Sequence, residues 1–191
     1  MTLLDEILNF NQTFVEEKMY EPYATTKFPD KRVVILTCMD TRLVELVTKA
    51  MNFKNGDVKI VRNAGAIVSH PFGSIMRSLL VAVYQLQADE VLVIGHYDCG
   101  MSSLTSEAIF GSMKERGVQQ ETIDTLRHAG IDVDKWLQGF NSVEESVEHS
   151  VDMIKNHPLM VPDIPVHGLV INPETGKLDL VKDGYKTPVQ K

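Results

Sequence analysis

The 191-residue sequence predicts an α/β fold: a parallel-core β-sheet flanked by helices, with an amino-terminal helix before it and an edge hairpin at its carboxy-terminal end. Three observations predict it. Short, apolar, β-branched runs recur at Arg32–Thr37, Val58–Val61 and Glu90–Ile94, the pattern of strands in a buried parallel sheet. Segments of helical periodicity lie between them, and strand–helix–strand alternation with right-handed crossovers covers a sheet on both faces. Two more strand-like runs flank Asn172-Pro-Glu-Thr-Gly176, the signature of a hairpin. The length suits one domain spanning residues 1–191, of which 1–30 form a helical arm.

Each element has its own warrant. Leu3, Leu4, Ile7, Leu8, Phe14 and Val15 recur at helical spacing with acids between them, so residues 3–18 read as an amphipathic helix, broken by Pro22 and Pro29. The first strand ends at Cys38. Thr41 is placed to cap a helix through Leu43, Leu46, Val47 and Ala50, and Asn55-Gly56 closes that unit before the second strand. Arg62-Asn-Ala-Gly65 reads as a turn, after which Ile75, Leu79, Leu80, Val83 and Leu86 mark a helix. The third strand runs into Gly95-His96-Tyr97-Asp98-Cys99-Gly100. Residues 111–120, with two glycines and mixed charge, read as a mobile loop. A short helix near Thr122–His128 stops at Gly130, and Ser142-Val-Glu-Glu145 is a capping box for a helix that ends before His157-Pro158. Pro165–Ile171 and Lys177–Val181 form the hairpin.

Composition narrows the function classes. Hydrophobic residues make up 43% and charged residues 24%, which suits a chain that buries a core. The formal net charge is −7 and no block of Lys or Arg occurs, which argues against nucleic acid as a partner. Asp5 and Glu6 stand where a signal peptide would be basic, and no apolar run approaches the roughly 18 residues of a membrane span. The expectation is a cytoplasmic protein with no membrane partner. In a reducing compartment its two cysteines, Cys38 and Cys99, point to metal binding, catalysis or inert packing rather than a disulfide.

Cys38, Arg62, His96 and Cys99 all fall at carboxyl ends of predicted strands, where open parallel sheets collect ligands. His96 and Cys99 form H-x-x-C, a spacing that brings an imidazole and a thiolate to one metal from a single turn. Cys38 completes a Cys2His set if its strand neighbours the strand before His96, and three such ligands with a fourth position available are a catalytic type of zinc arrangement. Asp40 lies two residues beyond Cys38 and Arg42 two further on, so a guanidinium can hold an ionised carboxylate beside the metal. Singly, each residue has an ordinary reading: a buried thiol, a satisfied histidine, a helix cap, a solvated arginine. Jointly the placement of both cysteines at the ends of two buried strands, one beside D-x-R and the other beside H-x-x, is hard to credit to packing. His70, His128, His149, His157 and His167 have no partner at ligand spacing and read as surface or loop residues.

Cys38-Met-Asp40-Thr-Arg42 and His96-Tyr-Asp-Cys99-Gly100 together resemble the C-x-D-S/T-R and H-x-x-C signatures of β-class carbonic anhydrases, and Arg62-Asn-Ala-Gly65 matches the R-N-x-A/G segment between them. The likeness spans Val33 to Met101. Asp98 and Met101 are similar to the shorter prokaryotic and archaeal branch, and Thr41 stands where serine is commoner. The resemblance implies Zn2+ held by Cys38, His96 and Cys99, with water or Asp40 in the fourth position. It casts Asp40 and Arg42 as the catalytic pair and Arg62, Gly65 and Gly100 as substrate contacts. It further implies a carbonate dehydratase, a zinc lyase interconverting carbon dioxide and bicarbonate. The assembly it implies is a homodimer or higher homo-oligomer whose amino-terminal helices wrap the partner. Two alternatives stay open. One is hydrolysis of carbonyl sulfide or carbon disulfide on the same scaffold. The other is a catalytically silent zinc-binding interaction protein, against which the presence of both Asp40 and Arg42 weighs.

Overall fold

The computed structural model of the chain describes residues 1–186. It opens with α1 (Leu3–Glu16), whose first turn is closed by a reciprocal capping box: the Asp5 N–H donates to the Thr2 hydroxyl and the Thr2 N–H to the Asp5 carboxylate. The apolar stripe predicted for this helix is present but uncovered. No residue of α1 is buried, and Leu3, Leu4, Ile7, Leu8, Phe10 and Val15 are each more than half exposed.

Five strands form one sheet: β1 (Val33–Cys38), β2 (Val58–Asn63), β3 (Glu90–His96), β4 (Val166–Ile171) and β5 (Leu178–Lys182), in spatial order β2-β1-β3-β4-β5. The first four run parallel, and β5 returns antiparallel on β4 as the expected edge hairpin. β1 is buried along its whole length because strands flank it on both edges and helices cover both faces. On one face Val34 and Leu36 pack with Met76 and Leu79 of α3 (Ser74–Leu86) and Val147, Val151 and Ile154 of α7 (Val143–Lys155). On the other, Val33 and Ile35 pack with Leu43 and Val47 of α2 (Leu43–Ala50). β2, at the edge, leaves Ile60 exposed.

Two glycines let α7 lie close on the sheet. A Cβ on Gly95 of β3 would stand 2.7 and 2.8 Å from methyl carbons of Val143 and Val147, and one on Gly168 of β4 would stand 2.8 Å from Val147. Gly95 immediately precedes His96, so the depth at which α7 seats also sets the end of β3.

Several sequence expectations are corrected. The mobile loop expected at 111–120 is helical through residue 115: Thr105 caps α4 (Ser106–Glu115), accepting from the Ala108 N–H. Phe110 there buries against Ile123 of α5 (Gln120–His128) and Val133 of α6 (Val133–Leu137), an anchor that offsets the roughly 1 kcal/mol cost of Gly111 inside a helix. Arg62 and Asn63 are not a turn but the last rungs of β2, facing Thr37 and Cys38 of β1. Arg42, not Thr41, occupies the cap position of α2, and no side chain caps that helix. Ser142 accepts from the Glu145 N–H at the start of α7 while its hydroxyl donates to Glu144, and the cap of that helix shows only this half of the expected capping box. His157 and His167 are buried rather than superficial. His157 bridges the Pro71 carbonyl and the Leu159 N–H, and His167 accepts the Gly184 N–H while its Nε2 lies 3.1 Å from Glu90. Both satisfy backbone groups that would otherwise be orphaned. No helix among the described residues is long and apolar enough to cross a membrane.

Candidate metal centre

The register of the sheet assembles the centre. β1 and β3 are neighbours in parallel, so their carboxyl ends emerge side by side. Cys38 is the last residue of β1, His96 the last of β3, and Cys99 follows within one turn. Their three donor atoms lie within 4.8 Å of one another, and all three residues are buried. The two sulfurs are 3.9 Å apart and both cysteines are free.

This set fits zinc. A tetrahedral ion with bonds of about 2.3 Å to sulfur holds two sulfurs about 3.8 Å apart, close to the spacing found. His96 donates through Nδ1 to the Tyr97 carbonyl at 2.8 Å, which fixes its tautomer and leaves Nε2 with a bare lone pair. That Nε2 is buried and has no hydrogen-bond partner, an orphan that a metal would satisfy.

The surroundings favour a thiolate. The Cys38 thiol is drawn well below its usual range, first by its contact with Cys99 and then by His96 and the N–H groups of Gly65 and Asp40, against the opposing effect of burial. Cys99 is pushed up in step, by the neighbouring Cys38 and by burial. Gly65 contributes its N–H to Cys38 Sγ at 3.3 Å from a backbone with φ +79°, a conformation that suits glycine. A side chain there would also meet Ile67 at 2.9 Å and Phe140 at 3.1 Å.

Asp40 and Arg42 form the expected pair. Arg42 donates through Nε to Asp40 Oδ1 (3.0 Å) and through Nη2 to Oδ2 (2.8 Å), and its backbone N–H also reaches Oδ1 (2.9 Å). This bidentate guanidinium holds the Asp40 carboxyl down to about 2, so it is ionised at neutral pH. Asp40 Oδ2 lies 3.8 Å from His96 Nε2, beside the three donors but not among them. Arg42 also donates to Asp98, through Nη1 to Oδ2 and through Nη2 to the carbonyl oxygen. The sequence reading missed that contact, because nothing in the spacing joins two residues 56 positions apart.

The three residues expected to touch substrate fall in different settings. The Arg62 guanidinium engages the carbonyls of Cys38, Leu43 and Val44, bracing the junction of β1 and α2. Gly65 faces the Cys38 sulfur. Gly100 is exposed on the turn after Cys99, with open space where a Cβ would be. A cavity of about 250 Å³ opens at His96, Cys99 and Asp98. Phe140, Asn141 and Ser142 line it and also a neighbouring groove of about 960 Å³ that runs past Leu104, Trp136 and His149.

The comparisons with known proteins agree with this geometry. The family described as carbonic anhydrase matches residues 33–178. YvdA of Bacillus subtilis, named as a candidate carbonic anhydrase, is 64% identical over 187 residues, covering 98% of this chain and 95% of its own. A carbon disulfide hydrolase of Saccharolobus solfataricus is 31% identical over 161 residues, covering 78% and 76%. The crystal structure of a β-carbonic anhydrase, isoform I of Trichomonas vaginalis, superposes with a TM-score of 0.87 at 33% identity, over 97% of this chain and all of that one. A sheet order, a buried Cys2His cluster and a family match over three-quarters of the sequence converge, and the chain belongs to the β-carbonic anhydrase family.

Proposed function

We propose that the protein is a zinc-dependent carbonate dehydratase, interconverting carbon dioxide and water with bicarbonate and a proton. The observation that carries this reading is the convergence of Cys38, His96 and Cys99 beside a carboxylate that Arg42 keeps ionised and apart from them. Cys38, His96 and Cys99 would hold zinc, which supplies a Lewis acid that brings the pKa of water from about 15.7 towards neutrality. Two thiolates offset the ion's formal charge, so orientation by the protein carries more of the reaction than in a site of three neutral histidines.

Asp40 supplies that orientation: with Oδ1 saturated by Arg42, its Oδ2 can accept a hydrogen bond from water beside the donor cluster. Arg42 keeps the carboxylate in place, and His96, anchored on the Tyr97 carbonyl, presents Nε2 in one direction only. Gly65 steadies the Cys38 thiolate. Arg62 is assigned a bracing role, and Gly100 stays exposed on the turn after Cys99. Substrate is a small linear molecule, which a cavity of about 250 Å³ admits.

The similarity to carbon disulfide hydrolases favours a second reading, attack on carbon disulfide or carbonyl sulfide by the same machinery. Stopped-flow hydration of carbon dioxide, run beside carbonyl sulfide and carbon disulfide hydrolysis on metal-quantified protein, decides between them. Turnover of the sulfur compounds alone would replace the first reading with the second. The uncovered apolar stripe of α1 supports a homodimer or higher oligomer, and the unpaired cysteines suit a reducing, cytoplasmic setting. Sedimentation of the full chain beside a form lacking residues 1–18 tests the assembly: loss of the oligomer on truncation is expected.

A further inference from the structure

Arg42 is held from two sides. Its Nε and Nη2 meet Asp40, while Nη1 donates to Asp98 Oδ2 at 2.8 Å and Nη2 also donates to the Asp98 carbonyl oxygen at 2.9 Å. Asp98 adopts φ +54°, the left-handed region that few residues other than Gly, Asn and Asp enter readily. Its carbonyl and its carboxylate thereby engage one guanidinium. Since Asp98 lies in the turn between His96 and Cys99, Arg42 joins the end of β1 to the turn that carries the other two metal-binding candidates.

We propose that Asp98 is a positioning residue that fixes the Arg42 guanidinium, and through it keeps Asp40 off the metal position. The inference rests on the metal centre proposed above. Arg42 has a side chain 39% exposed, so without Asp98 it keeps one carboxylate partner and gains room to turn towards solvent. Asp40 Oδ2 is already 3.8 Å from His96 Nε2, and a carboxylate that Arg42 releases has a short path to the three donors. An ionised carboxylate arriving there competes with water for the open position. The Asp98 side chain is 85% exposed, so its attraction is screened and its removal biases the arrangement without abolishing it.

The test uses the cobalt(II)-loaded full chain, with azide as the probe of the open position and visible absorption as the readout. Asp98→Gly keeps the left-handed backbone and the carbonyl contact while removing the carboxylate. Asp98→Asn keeps the shape without the charge. Asp98→Gly is expected to weaken azide binding about two- to fivefold, the range of an exposed ion pair, with Asp98→Asn between it and the parent. In an Asp40→Asn background the same change should have no effect, because no carboxylate remains to close the site. In the metal-free protein, nitrogen-15 NMR should show the Arg42 Nε–H exchanging faster in Asp98→Gly than in the parent. Unchanged azide affinity in Asp98→Gly, or equal weakening with and without Asp40, would overturn the role of Asp98. Absence of sulfur-to-cobalt charge-transfer bands in the parent would instead overturn the metal centre, and this inference with it.

Discussion

Replacing Gly95 by alanine probes the coupling between helix packing and the metal centre. The added methyl would meet Val143 and Val147 at 2.7 and 2.8 Å, well inside the 3.4–4 Å of ordinary contact, on a helix whose Val147 and Val151 are fully buried. Neither neighbour is the end of a long flexible side chain, so α7 itself must lift. Overpacking of this kind costs about 2 kcal/mol. For a chain of this length each kcal/mol lowers the melting temperature by about 2–4 °C, so a drop of about 4–8 °C is expected. Because His96 follows directly, the same variant should hold zinc less tightly, measured by competition with a chromophoric chelator. Gly100→Ala is the matched control: open space surrounds its added methyl, and its backbone lies outside the left-handed region, so both readings should stay at the parental values. If Gly95→Ala melts with the parent, or destabilises without touching zinc affinity, then α7 does not set the end of β3 as described.

Three other outcomes follow from the site. Cys38→Ser, Cys99→Ser and His96→Ala should each lower zinc content by elemental analysis, and full occupancy in all three would move the metal elsewhere. Arg42→Ala and Asp40→Ala should each retain zinc and lose most carbon dioxide hydration, while the double variant should be little worse than the poorer single; losses that multiply would separate the two roles. Asp40 titrates near 2 in the folded chain against an ordinary 3.8, so its pairing stabilises the fold above about pH 4 and is lost as pH falls towards 2. Carbon-13 NMR of the Asp40 carboxyl should therefore show no protonation between pH 5 and 7, and a midpoint above 4 would contradict the pairing.

The metal-binding candidates were legible because their chemistry is scarce and their setting is periodic. Cys38 closes one apolar β-branched run and Cys99 follows another by a short turn, and the parallel pairing of β1 with β3 supplies the adjacency that joins them. The same logic placed the carboxy-terminal hairpin and α3. What escaped was whatever depends on contacts between distant, ordinary residues. α4 carries a glycine and a mostly polar sequence, and its helicity is anchored by Phe110 on a small cluster that no local window contains. α6 is five residues long, less than two turns, so it has no periodicity to read. His157 and His167 are buried where each also meets a backbone group of a distant segment, the Pro71 carbonyl and the Gly184 N–H, which no local window contains. The Arg42–Asp98 contact belongs to the same class: two exposed charges whose meeting is decided by the register of two strands.

The bareness of α1 divides the chain into two thermodynamic materials. The sheet and its helices carry their own cohesion, whereas a 14-residue helix with no buried residue relies on its capping box, local propensity and a ring contact of half-buried Phe14 with Tyr23, and isolated helices of that length are marginal in water. Its helicity is therefore linked by mass action to whatever covers the stripe from Leu3 to Val15. With a second copy as that cover, dilution becomes a structural variable: the far-ultraviolet circular dichroism of the arm should fade with falling protein concentration while the signal of the sheet stays constant. If the covering partner is a second copy, as proposed above, the chain reports its own abundance through the order of α1.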